Sequence, residues 1–233
     1  MTMKVPVLGV VTSLCLALCH TVRAEDAATF KMPCAQVLRL GFDKFMHEYS
    51  ERTNDYSTAG QKQGYRIYTE CKRADNDRRL KALPPTRRTQ LASIRLNLAR
   101  LEDACWGMQE IAAGGGTMWG QLAAAATATR EDLIASLIAA VMRKQIQQPA
   151  ARLKATGFLN SAQKRLAALK KAPEQDFGLL SLHEQKKVYT QFWNETHSAL
   201  LQLQKLTPVL PDLAAQQLAQ RVSSTISDVG EFE

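Results

Sequence analysis

From residue 87 to 112, the apolar positions Leu91, Ile94, Leu98, Leu101, Cys105, Met108 and Ala112 recur at alternating spacings of three and four. That rhythm keeps every apolar side chain on one stripe of a helix, so it predicts a long helix packed lengthwise on its neighbours. Upstream, Cys34, Leu38, Phe42, Phe45, Tyr49 and Tyr56 form a similar stripe broken only by Arg52, which predicts a second helix. The stretch Ser57-Thr58-Ala59-Gly60-Gln61-Lys62-Gln63-Gly64 weakens the pattern and predicts an end or kink there, followed by another helix over 65–81. Pro84-Pro85 then stops that helix, because consecutive prolines cannot continue one.

Beyond the glycine run Gly114-Gly115-Gly116, residues 121–130 are alanine-rich. Thr129 is positioned to cap a stronger helix that carries Leu133, Ile134, Leu137, Ile138, Val141 and Met142 on a broad apolar face. Pro149 is expected to interrupt or end it, and Gly157 and Asn160-Ser161 to punctuate a turn before a short basic helix over 162–171. Ser181-Leu182-His183-Glu184 has the spacing of a capping box and predicts the start of a helix of about 25 residues, with Val188, Phe192, Ala199, Leu203 and Leu206 turned inward. A final helix over 212–227 is expected to pair with it. No strand-like alternation of any length is present, so the fold class is all-α: a bundle of five to seven helices with antiparallel hairpins.

The domain plan that follows has five parts. Residues 1–24 read as a signal peptide, 25–112 as a cysteine-containing helical unit, 113–120 as a glycine-rich joint, 121–228 as a second helical unit and 229–233 as a tail. Lys4, an apolar run over 5–18 and Val22-Arg23-Ala24 supply the three parts of a secretory signal, with cleavage expected near Ala24. The run is short for a membrane span, and the longest later one, 133–142, is shorter still, so no transmembrane segment is expected after cleavage.

Export changes how charge and cysteines are read. The signal carries Lys4 and Arg23 and no acidic residue, so its removal lowers the formal charge of +8 by two, to +6. That basic balance permits contact with anionic envelope polymers or acidic proteins. Of five cysteines, Cys15 and Cys19 leave with the signal, and Cys34, Cys71 and Cys105 remain. An odd number in an oxidising compartment predicts one disulfide and one leftover thiol. In a hairpin turning at Pro84-Pro85, Cys71 and Cys105 lie at unequal distances from the turn, an axial mismatch of about 12 Å at 1.5 Å per residue. Offset helices would bring them together, and this pair is the expected disulfide.

Candidate chemistry is sparse. Glu48, Glu51 and Asp55 could serve as acid and base on a glycan, but their spacing equally describes a solvated helix face. His47, His183 and His197 are remote in sequence from every cysteine. Met32, Met46, Met108 and Met118 are scattered singly, as core filler is. No CxxC or zinc spacing occurs, so no metal and no cofactor is expected. The glycine run follows a helix and lacks the lysine of a phosphate loop.

The best surface candidate is the basic cluster Arg78, Arg79, Lys81, Arg87 and Arg88 around the double proline, dense enough to grip carboxylates or phosphates. A second cluster, Lys164, Arg165, Lys170 and Lys171, follows later. The absence of interleaved aromatics disfavours nucleic acid. The sequence therefore favours an exported, non-catalytic binding or accessory protein of the cell envelope whose partner is an envelope protein or an anionic polymer. The competing expectations are a cell-wall hydrolase acting through Glu48, Glu51 or the free cysteine, and a carrier of a small molecule or metal.

Overall fold

The computed structural model describes residues 30–112, 117–143, 147–171 and 181–229. The expected signal peptide, residues 1–24, and residues 113–116 of the expected glycine-rich joint lie outside them. Among the described residues the chain forms eight α-helices and no strand. They are α1 (Cys34–Leu40), α2 (Phe42–Thr53), α3 (Thr58–Lys81), α4 (Pro85–Ala112), α5 (Thr117–Met142), α6 (Pro149–Ala168), α7 (Leu182–Leu206) and α8 (Asp212–Ser227), with a 3-10 turn at Thr207–Val209. The all-helical class is as expected, and the helices outnumber the predicted five to seven.

The extra helix comes from a break in an unexpected place. The first stripe is cut at Gly41, whose φ of 74° suits a residue without a side chain, and α2 ends at Asn54, also left-handed. Tyr56 lies beyond that end and is exposed. The stretch 57–64 does not break a helix; it begins one. Ser57 Oγ accepts from the Gly60 backbone N–H and caps α3, and Gly64 lies so close to α2 that a Cβ there would meet Met46 and Tyr49 at 2.8–3.0 Å.

Two later expectations also change. Helix α5 runs unbroken through its alanines, the best helix formers, so Thr129 caps nothing and instead hydrogen-bonds back to the Ala126 carbonyl at 2.9 Å. Pro149 opens α6 at its first position, where its missing N–H costs nothing, and Gly157 and Asn160 are absorbed into that helix. The capping box forms as predicted: Ser181 N donates to Glu184 Oε2 at 3.0 Å while Ser181 Oγ accepts from Glu184 N at 3.3 Å.

Packing follows the stripes. The α4 positions Leu91, Ile94, Leu98, Leu101, Cys105 and Met108 are all buried in the larger apolar cluster, with Ile134, Leu137 and Ile138 of α5 and side chains from α6, α7 and α8. Each such leucine or isoleucine removed from water stabilises by roughly 1.5–3 kcal/mol. A smaller, aromatic cluster joins Phe30, Val37, Phe45, Tyr49 and Tyr68. Helix α3 lies chiefly along α5, α4 along α7, and α8 along α6, not along α7 as expected.

The disulfide joins Cys34 to Cys71, not Cys71 to Cys105. Neighbours in sequence, α3 and α4 touch little because each packs on a different helix. Cys71 therefore faces the aromatic cluster beside α1, whereas Cys105 faces α7, where its Sγ lies 4.0 Å from Thr196 Oγ1. Burial pushes the free Cys105 thiol up to about 12.

Candidate binding cleft

Three consecutive residues of α5 organise the polar interior. Successive helical side chains point about 100° apart, so Arg130, Glu131 and Asp132 meet three different sets of partners. Arg130 Nη1 donates to Glu102 Oε2 at 3.0 Å, and Arg221 Nε of α8 donates to the other oxygen of Glu102 at 2.8 Å, tying α4, α5 and α8 together. Burial pushes Glu102 above the ordinary carboxylate range, and the charges and hydrogen bonds of Arg221 and Arg130 pull against it. Asp132 accepts from Tyr68 Oη at 2.8 Å and pairs with Lys72 Nζ at 2.7 Å.

Glu131, 1% exposed, is the most heavily partnered. Arg95 of α4 grips it with two hydrogen bonds, Asn76 Nδ2 of α3 donates at 3.0 Å, and Arg73 Nε lies 3.6 Å away. Arg95 also donates to Asp77. Burial opposes the charge on Arg95, but the bonds to Asp77 and Glu131 outweigh it and raise its pKa.

Above this network, α3 and α4 diverge and leave an open cleft of about 520 Å³ closed at its base by α5. One wall is a single face of α3 carrying Arg73, Asp77, Leu80 and Lys81; the other is a face of α4 carrying Arg88, Ala92, Arg95, Leu96 and Ala99. Arg130 and Glu131 form the base. Five cations thus stand against two carboxylates. Arg73, Arg95 and Arg130 are engaged with acidic partners, whereas among the described residues neither Lys81 nor Arg88 pairs with a carboxylate. Arg88 makes one long bond, 3.4 Å, to the Leu83 carbonyl.

The five basic residues singled out from sequence are therefore divided. Lys81 and Arg88 line the cleft. Arg78 and Arg79 turn to Asp75 on their own helix, and Arg87 Nη1 donates to the Val209 carbonyl at 2.8 Å, fastening the start of α4 to the 3-10 turn. In the second cluster, Arg165 is bonded to the Val229 carbonyl and Lys170 lies over the Trp193 ring. No family model, curated protein or solved structure matches the chain.

The other candidates are occupied differently. Glu48 pairs with Arg52 at 3.8 Å, Glu51 accepts from Tyr56 Oη at 2.7 Å, and Asp55 accepts from Ser57, whose hydrogen bonds hold its carboxyl below the usual value. Among the described residues no group of three His, Cys, Asp or Glu side chains is placed to hold a metal ion, and no helix is long and apolar enough to cross a membrane. Sequence reasoning missed Arg73, Arg95, Arg130 and Glu131. Their partners are distant along the chain, and only the i, i+4, i+7 and i+8 positions of Arg73, Asp77, Leu80 and Lys81 hinted at a shared face.

Proposed function

We propose that the chain is an exported, non-catalytic binding protein of the cell envelope that captures an anionic partner at the cleft between α3 and α4. The observation that supports this reading is the cleft's charge: five cations line it against two carboxylates, and Lys81 and Arg88 stand at the rim without an acidic partner among the described residues. A rim charge of this kind steers an oppositely charged partner and fixes its register. The Cys34–Cys71 bond is compatible with an oxidising compartment. A hydrolytic role through Glu48 and Glu51 draws no support from their contacts, which are those of a surface helix face.

The test uses the mature chain and its Lys81→Glu/Arg88→Glu variant, each immobilised and challenged with envelope proteins and with purified anionic envelope polymers. Retention by the native chain that falls with added salt and is lost in the variant is the expected result. Equal retention by both chains would overturn the reading.

A further inference from the structure

The cleft differs from a simple basic patch in its lining. Leu80, Ala92, Leu96 and Ala99 are interspersed with the charged lining, and Leu96 is left 52% exposed. Arg73 and Lys81 stand on the α3 wall, eight residues and therefore about 12 Å apart, with Asp77, already bonded to Arg95, between them, while Arg88 shares the α4 wall with Ala92 and Leu96. A cleft with cations on one wall, and exposed apolar side chains beside a cation on the other, is the complement of a helix that carries an apolar stripe with acids next to it.

We infer that the occupant of the cleft is an acidic amphipathic helix of a partner protein. This rests on the cleft being the contact surface, as proposed above. Both walls and the base are helices, whose backbone groups are already paired internally, so the cleft offers no sheet edge to an extended peptide. A helix arrives with its own backbone bonds made and presents anchors at three- and four-residue spacing. Its apolar stripe covers Leu96 and Ala92, and its carboxylates meet Lys81 on α3 and Arg88 on α4, which pair with no carboxylate among the described residues. A uniformly hydrophilic polyanion satisfies the cations but leaves the apolar side chains without a partner.

The probe is a fluorescein-labelled synthetic helix with leucines along one face and glutamates flanking them. It is compared by fluorescence anisotropy with a peptide of the same residues scrambled to destroy the stripe, and with polyglutamate. The mature chain is expected to bind the amphipathic helix about tenfold more tightly than either comparator, the effect of partly burying one or two leucines. Leu96→Ser, at an exposed position that the fold does not depend on, should weaken the amphipathic helix several-fold and leave polyglutamate unchanged. Equal binding of all three probes, no binding of the amphipathic helix, or indifference to Leu96→Ser would overturn the inference. In each of those cases the previous reading still stands if the Lys81→Glu/Arg88→Glu variant loses its anionic partner, and falls separately if it does not.

Discussion

Arg95 holds Glu131 in a two-pronged grip, Nε to Oε1 at 3.1 Å and Nη2 to Oε2 at 2.7 Å, across the interface of α4 and α5. Removing one member of such a pair strands a buried charge, which typically costs about 3–5 kcal/mol. Asn76 and Arg73 remain to support Glu131, so Arg95→Met should fall near the lower end. Urea unfolding is the measurement. Because the penalty comes from the stranded carboxylate, Arg95→Met combined with Glu131→Gln should be less unstable than Arg95→Met alone; a simple sum of the two single losses would refute this account.

The rim cations contribute little to the fold. Lys81→Glu and Arg88→Glu, alone or together, should change unfolding free energy by less than about 1 kcal/mol, as exposed charges do. A large loss of stability would refute this and show that these residues hold α3 and α4 in place.

Cysteine accessibility should follow the assigned pairing. With a thiolate form suppressed by burial, Cys105 should resist alkylation in a folded chain prepared from residue 25 onward, react once on denaturation, and be joined by Cys34 and Cys71 only after reduction. Replacing Cys34 and Cys71 by alanine should cost about 4 kcal/mol for a loop of this length, on the order of 10 °C in melting temperature. Peptide mapping that recovered a Cys71–Cys105 link would contradict the fold of α3 against α1.

Gly107 allows α4 to approach α7. A Cβ there would come within 2.5–2.7 Å of the Phe192 ring. Gly107→Ala gains about 1 kcal/mol of helix propensity but forces the ring aside, at about 1–3 kcal/mol. Net destabilisation by thermal melting is expected, relieved when Phe192→Leu is added.

Asp212 accepts from the Gln148 backbone N–H at 2.8 Å, and from Arg152 Nε at 2.8 Å, and these bonds lower its pKa from the ordinary 3.8. A lowered carboxyl pKa stabilises the fold above the ordinary value and loses that contribution as pH falls through the native one. The stability difference between the native chain and Asp212→Asn should therefore be present at neutral pH and shrink below 3.8. Glu102, raised by burial, acts with the opposite sign, its contribution falling as pH climbs from 4.5. Parallel pH curves for native and Asp212→Asn chains would exclude the assigned role.

Where the signal was local, the sequence carried the fold. The stripe of α4 and the capping box of α7 are set by spacings within a few residues, and both appear as read. The stretch 57–64 misled because glycine marks both a break and a close approach, and only the position of Met46 and Tyr49 distinguishes the two. The disulfide was missed because chain neighbours were assumed to be packing neighbours. The site was half legible: Lys81 and Arg88 stood out by charge density, whereas the groups beneath them join across long separations, 36 residues for Arg95 and Glu131 and 119 for Arg221 and Glu102. No spacing rule reaches that far.

The Cys34–Cys71 bond also sets how the molecule carries mechanical load. Tension applied upstream of residue 34 passes through the sulfur bridge straight into the middle of α3, skipping α1, α2 and the turn between α2 and α3. The 37 residues of separation drop out of the force path. A chain held by its amino-terminal end hangs from the helix most firmly laid along α5, and its smallest, least-capped helices bear no strain.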